Sequence, residues 1–434
     1  MQLSLQLLVL LVLASPAVVF VDNAMTWGLI TMLTAAAIGL IASQVRPAEA
    51  DYLSTLLRPV VIVLAAPAIW MLVQTLATPF DSLMHPIWAS AAAALGTPMF
   101  GRMSIDPGAT FLSIGRYLCA IGILVATAAV TVDRRRAEWM LFALVGAASV
   151  TALIYFSYTI GRFFGSDPTY DLGRASVMSA MSVLGAIVTA AAAIRAFERF
   201  ETRRSTRPMT HRQFWSGFAL WLAAWSVSWF VISGRTSHVF AAACGTASLA
   251  TIEVIRRLRI DRRASAAIAT VAIAIAIAVV AIQPADQNDV TLRFASAPSS
   301  GVSMAQQMIA DTRWSGVGAG AFPSLVPIYR DINDPEVLSA PTTASAIAIE
   351  TGRPALVLVL LSAVAAAALL AIGAIRRGRD SFYPAAGASC VIALSVEMFT
   401  DASALSSSVQ IIAAAAIGLG LAQSKSRGAA STNG

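Results

Sequence analysis

PALVLVLLSAVAAAALLAIGAIRRGR, Pro354–Arg379, is an uncharged apolar run that ends on three arginines. At about 1.5 Å per residue, a helix over 354–375 crosses about 30 Å, the thickness of a bilayer's hydrocarbon core. Arginines placed directly after such a run mark its cytoplasmic end. Working outward, similar windows recur at 2–21, 24–42, 59–77, 111–132, 139–160, 175–197, 214–233, 237–255, 264–283, 383–400 and 407–423. The sequence therefore predicts an all-α polytopic membrane protein with about twelve transmembrane helices. The first run lacks a basic leader segment and continues into a second span, so it reads as a membrane helix rather than a signal peptide.

Composition agrees with this. Of 434 residues, 57% are hydrophobic and 12% are charged, against about 25% charged in soluble domains, which excludes a water-soluble enzyme. The formal net charge of +7 is carried almost wholly by arginine, Lys425 being the sole lysine. The arginine clusters are too short and too widely spaced for a nucleic-acid stripe, so no nucleic-acid partner is expected. They follow an alternating rule instead. One set of loops holds Arg46 and Arg58, Arg134 to Arg136, the cluster from Arg199 to Arg212, the cluster from Arg256 to Arg263, Arg376 to Arg379, and Lys425 with Arg427. That set reads as cytoplasmic, with both termini. The opposite loops carry isolated arginines only.

The expected organisation is nine helices over 1–283, a long periplasmic loop over 284–343 between helices 9 and 10, three helices over 344–423, and a cytoplasmic tail over 424–434. A loop of that length between two spans is a place for function. Cys119, Cys244 and Cys390 lie in apolar runs without CxxC spacing, so neither a disulfide framework nor a zinc site is expected. No cluster of His, Asp or Glu has metal-ligand spacing, and no metal or cofactor is expected.

Within the long loop, DTRWSGVGAGAFPSL (Asp311–Leu325) places Gly316, Gly318 and Gly320 at alternate positions. A nucleotide loop would need Gly-Lys-Ser/Thr or a preceding strand, and neither is present. Two readings remain: a flexible hinge between a loop helix, Met304–Ala310, and the next element, or a close-packed turn whose amides and neighbouring Arg313 face an anion. Isolated arginines on the side where positive charge is disfavoured suggest a diphosphate or carboxylate ligand. They are Arg174 at the start of the sixth span, Arg235 in the tight turn SGRTSH, and Arg313 and Arg330 around the glycines. A snorkelling anchor is the plain alternative for each. His238 is a candidate base or a satisfied interfacial residue, and Glu350, before a break at Thr351–Pro354, could order arginines.

Three motifs together resemble the O-antigen ligase and polysaccharide polymerase superfamily: RWSGVGAGAF at Arg313–Phe322, the SGRTSH turn at Ser233–His238, and IAIETGRPAL at Ile347–Leu356. The resemblance runs from about the third span onward. It implies transfer of a glycan from undecaprenyl diphosphate to a glycan or lipid A-core acceptor on the periplasmic face of the inner membrane, without metal or nucleotide. It also implies that Arg235 contacts the diphosphate and that Arg313 stands at the entry of the glycine motif. Arg174 and Arg330 are placed by topology alone. One departure concerns the base. Where the family often has His-Asn shortly before the glutamate, this chain reads Pro341-Thr342-Thr343. The acceptor would then rely on His238, on an outer aspartate, or on the diphosphate being a good leaving group; a divergent polymerase with different acceptor handling is the remaining option. A transporter or flippase of lipid-linked sugars is the competing reading, and it requires charge deep in the spans.

Overall fold

A computed structural model of the chain describes residues 1–77, 80, 84–98, 100–163, 172–201, 211–234, 236–258, 289–330, 339–377 and 380–425. These form α1 (Gln2–Val18), α2 (Ala24–Gln44), α3 (Pro47–Thr75), α4 (Pro86–Leu95), α5 (Pro107–Val130), α6 (Arg134–Phe163), α7 (Leu172–Glu201), α8 (His211–Ser233) and α9 (Thr236–Arg257). There follow α10 (Ser299–Asp311), α11 (Phe322–Tyr329), α12 (Thr343–Glu350), α13 (Arg353–Arg376), α14 (Phe382–Glu397), a 3₁₀ turn (Ser403–Leu405) and α15 (Ser407–Ala422). Apart from one isolated bridge between Ala77 and Arg102, the described residues contain no β-structure.

Seven of these helices, α2, α3, α5, α6, α7, α9 and α13, are long and apolar enough to cross a membrane. The chain is thus an α-helical protein with several membrane-spanning candidates. The predicted ninth span, 264–283, lies outside the described residues. Helix starts follow the sequence: Asn23 caps α2 by accepting from the Thr26 amide at 2.9 Å, and Asp106 caps α5 by accepting from Ala109, with Pro107 at the first helical position. Two expectations shift. Arg58 lies inside α3, which begins at Pro47, rather than in a loop. The second concerns the long loop: the helix expected at Met304–Ala310 is present as part of α10, but α10 and α11 pack on a small core of their own, where Met304, Met308, Phe322, Leu325, Val326 and Ile349 meet.

α7 is buried along most of its length, whereas α13, which carries the uncharged run from Pro354, presents mostly exposed apolar faces. The shorter α14 and α15 sit inside the bundle and approach through glycines. A Cβ on Gly387 would meet the Gly420 Cα at 3.3 Å, and Gly418 faces the backbone of α5. Small residues let apolar helices gain van der Waals contact where lipid gives no hydrophobic drive.

The two sets of loops separate to opposite ends of this bundle. At the arginine-rich end, Arg134 meets Asp380 at 2.5 Å, Arg195 meets Glu138 at 2.8 Å, and Arg256 joins Glu253 of its own helix to Glu198 of α7. There too Gln423 donates to the Thr131 carbonyl at 2.6 Å and Tyr52 to the Lys425 carbonyl at 3.2 Å. At the other end, Asp22, Ser176, His238, Ser315, Thr351 and Asp401 make their contacts among themselves and their neighbours.

Candidate functional site

Three groups of residues occupy the end away from the arginine clusters. The first is a buried polar cluster where α7, α9 and α14 finish or begin. His238, in the first turn of α9, has Glu397 Oε1 3.1 Å from Nδ1 and Asp401 Oδ2 3.1 Å from Nε2. Ser176 of α7 donates to Asp401 and lies 3.3 Å from His238 Nε2. The order Ser176–His238–Glu397 has the outline of a nucleophilic triad, but the second carboxylate prevents it from acting as one. Asp401 accepts from both the serine hydroxyl and the ring nitrogen that would have to take the serine proton. His238 and Glu397 are fully buried, and Glu397 Oε2 has no hydrogen-bond partner among the described residues.

Asp401 lies in the turn between α14 and α15. Burial alone would raise its pKa. The hydrogen bonds from His238, Ser176 and Ser403 more than reverse this and hold it at about 2. It is therefore a carboxylate at neutral pH and a weak proton acceptor.

The second group lines a cleft of about 310 Å³ that includes Phe20, Asp22, Gly173, Arg174, Val177, Ser406 and Ser408. It adjoins the first through α7, which carries both Arg174 and Ser176, and through the 401–408 turn. The Arg174 guanidinium lies over the Phe20 ring, 5.9 Å from its centroid.

The third group is the glycine loop. Val317 donates to the Ile349 carbonyl at 3.0 Å, Gly318 to the Glu350 carbonyl at 2.8 Å, and Ile105 to the Val317 carbonyl at 2.9 Å. The side chain of Gln74, from the end of α3, donates to the Ser315 and Glu350 carbonyls at 2.8 and 3.0 Å. Gly318 has a φ of +111°, and a Cβ there would overlap the Ser104 side chain. A Cβ on Gly316 would overlap the Glu350 carbonyl, and one on Gly320 the Ser113 hydroxyl. Of the two readings of this motif, the hinge does not describe it: the loop is a close-packed turn. The anion that it faces is the chain's own. The Glu350 carboxylate accepts from the Gly320 and Phe322 amides, the latter at 3.2 Å, at the start of α11. Burial outweighs these amides and pushes the Glu350 pKa up to about 7.

The structure therefore divides the residues singled out in the sequence. His238 and Arg174 stand in neighbouring groups, while Gly316, Gly318, Gly320 and Glu350 form one packed unit. Arg313 is exposed, and its Nη1 donates to the Met84 carbonyl at 3.1 Å beside His85, whose pKa is lowered by burial and then by the Arg313 charge. Arg330 is an exposed residue at the end of α11. Arg235 lies outside the described residues. α12 bridges the groups: its first amides, Thr343 and Ala344, donate to the Asp401 and Met398 carbonyls at 2.8 Å, and its last residue is Glu350. Among the described residues no set of three His, Cys, Asp or Glu side chains could hold a metal. Sequence reasoning did not single out Ser176, Gln74 or Ser408. Glu397 carried a signal, being a carboxylate in an otherwise apolar run.

Comparison with protein-family models, with curated proteins and with solved structures finds no match to this chain.

Proposed function

We propose that the chain is a membrane glycan transferase of O-antigen ligase or polysaccharide polymerase type. It would move a glycan from undecaprenyl diphosphate to an acceptor hydroxyl, a glycan or lipid A-core, on the periplasmic face of the bacterial inner membrane. The observation that carries this reading is the juxtaposition of the Arg174 cleft with the Ser176–His238–Asp401 cluster at the bundle end away from the arginine-rich loops. The motif resemblance supports it.

In the transfer, the acceptor oxygen bonds to the anomeric carbon as the bond from that carbon to the diphosphate breaks. The electron pair leaves with the diphosphate, the acceptor's proton passes to a diphosphate oxygen or to water, and arginines fixed at this end stabilise the charge that develops. Asp401 is a weak base and both ring nitrogens of His238 face carboxylates. This supports the option in which the leaving group, rather than a strong base, makes the step feasible.

The test is deletion of the gene in its host and analysis of envelope glycans on gels, with complementation by wild type, Arg235→Ala and Arg313→Ala. Full-length glycan left on the carrier beside bare lipid A-core identifies a ligase. Single repeats or loss of secreted polymer identify a polymerase, and normal product from the deletion strain removes the reading.

One observation favours the transporter or flippase alternative. His238 and Glu397 form a buried ionisable pair, although at the start of α9 and the end of α14 rather than deep in the spans, and buried ionisable residues in membrane helices often mark a proton or substrate pathway. Movement of lipid-linked sugar across vesicles without any covalent product would establish it.

A further inference from the structure

We infer that α4 and the segment returning from it form a wedge that lies in the membrane leaflet at the bundle end away from the arginine-rich loops, covered by lipid. Residues 86–101 read PIWASAAAALGTPMFG and contain no charged side chain. α4 is apolar on all sides but for Ser90, and none of its ten residues is buried. A helix apolar all round belongs where something apolar surrounds it, in a protein core or in a membrane. The first cover is absent among the described residues: Ile87 is 41% exposed, Leu95 65% and Phe100 87%.

The base of the wedge sits at the membrane boundary. α3, a membrane-spanning candidate, ends at Thr75, and the chain is pinned there both on its way out and on its way back. Ala77 bridges to Arg102, the Ser104 amide donates to the Gln74 carbonyl at 3.0 Å, and the His85 amide donates to the Arg102 carbonyl at 2.9 Å. Trp88 Nε1 donates to the Ser104 carbonyl at 3.1 Å, which fixes one face of α4 toward the base. Exposed apolar side chains run along the chain across this point, from Ile69, Leu72 and Leu76 to Phe80 and then to α4. Charge stays at the base, with Arg102 and with Arg313, which donates to the Met84 carbonyl at 3.1 Å. Lipid that covers the last turns of α3 therefore continues onto α4.

Depth follows from backbone polarity. At about 1.5 Å per residue α4 is about 15 Å long, half of the hydrocarbon thickness, so it does not cross. It ends at Gly96, whose φ is +65°, and the described residues from 97 to 101 return outside any helix. Bare N–H and C=O groups are not tolerated against lipid tails in the hydrocarbon core. The wedge therefore lies along the boundary of headgroups and acyl chains, where an apolar face sinks about 5–10 Å and water still reaches the backbone. Through the bond from Arg313 to Met84, the same wedge holds the entrance of the glycine loop at headgroup level. None of this depends on what the protein transfers.

The experiment places the full-length protein in nanodiscs of phosphatidylcholine and phosphatidylglycerol. In wild type, a phosphatidylcholine with a photoreactive diazirine high on its acyl chain should form adducts on residues 86–101, as on the exposed faces of α13, and none around Ser303 of α10. Adducts on α13 alone overturn the inference. A polarity-sensitive fluorophore at Ala93→Cys, with Cys119, Cys244 and Cys390 replaced by alanine, then reports depth, and thermal unfolding checks the fold. A lipid nitroxide high on the acyl chain should quench it several-fold more than aqueous iodide does, whereas iodide should dominate at Ser303→Cys. Dominant iodide quenching at Ala93 places α4 in water, and quenching by neither agent places it under protein, whether this chain or a second copy. Stronger quenching by a nitroxide at the far end of the acyl chain makes the segment a deep re-entrant loop. Each of these three outcomes overturns the inference. Leu95→Asp combined with Phe100→Asp should reverse the ratio of nitroxide to iodide quenching at Ala93, and an unchanged ratio overturns it as well.

Discussion

Gly318 combines two constraints that no other residue type meets. Its φ of +111° disfavours any side chain, and the space where a Cβ would sit is filled by Ser104, which is itself 2.8 Å from the Thr110 hydroxyl. Gly318→Ala should cost at least roughly 2 kcal/mol, read as a lower unfolding temperature of the purified protein. An unchanged midpoint would mean that the loop repacks freely. Glu350, in the same unit, gives a pH dependence with a definite sign. Its carboxyl is lifted from an ordinary 4.5 to about 7, so the stability it contributes is complete below about pH 4.5 and is lost as pH rises through about 7. Between about pH 6 and about pH 9, wild type should lose roughly 1.4 kcal/mol that Glu350→Gln does not lose, because a glutamine oxygen still accepts from Gly320 and Phe322 without a charge to bury. Parallel curves for the two proteins would refute this. The sequence showed the glycines and the glutamate as separate curiosities. That each is the other's partner depends on a fold-back of the chain that local pattern does not encode.

At the scale of elements, α12 is the strut that ties the glycine unit to the buried histidine cluster. Thr342 and Ser345 form a reciprocal cap at its start, and Thr342 Oγ1 also donates to the Thr291 carbonyl at 2.9 Å. Thr342→Val removes both links and should destabilise by about 1–3 kcal/mol. Hydrogen exchange locates the effect. The Thr343 and Ala344 amides, which donate to Asp401 and Met398, should exchange faster, while the amides of α7 keep their protection. The helices themselves were legible because apolar length and capping residues are local signals, as at Asn23 and Asp106. The meeting of His238 with Glu397 and Asp401 was not, since it depends on how α9 and α14 cross. Arg58 was misplaced for a related reason: a helix continues past the membrane boundary wherever its backbone is satisfied, so a charge does not by itself end it.

For the whole molecule, the alternation of arginine-rich and arginine-poor loops matches the segregation of their contacts to two ends, and this is the part of the architecture that the sequence expressed most directly. Which end faces the cytoplasm rests on the positive-inside rule. An impermeant thiol reagent applied to intact cells should label Ser300→Cys and should label Arg135→Cys only after permeabilisation. The reverse pattern would invert the protein in the membrane and place the Arg174 cleft on the cytoplasmic side.

The hydrogen bond from Gln74 to the Ser315 carbonyl joins residues 241 positions apart, and it has a consequence in time. At about 5–20 residues per second, the ribosome finishes Ser315 roughly 12–48 s after Gln74. Throughout that interval the segment from Gln74 to Asp106 has been delivered to its side of the membrane without the glycine loop that later closes over it. A nascent chain halted before Ser315 should therefore be cut by protease near Ser104, and one halted beyond Gly352 should be resistant. Biogenesis of this protein thus includes a waiting period during which the segment from Gln74 to Asp106 lacks the packing partner it has in the folded chain.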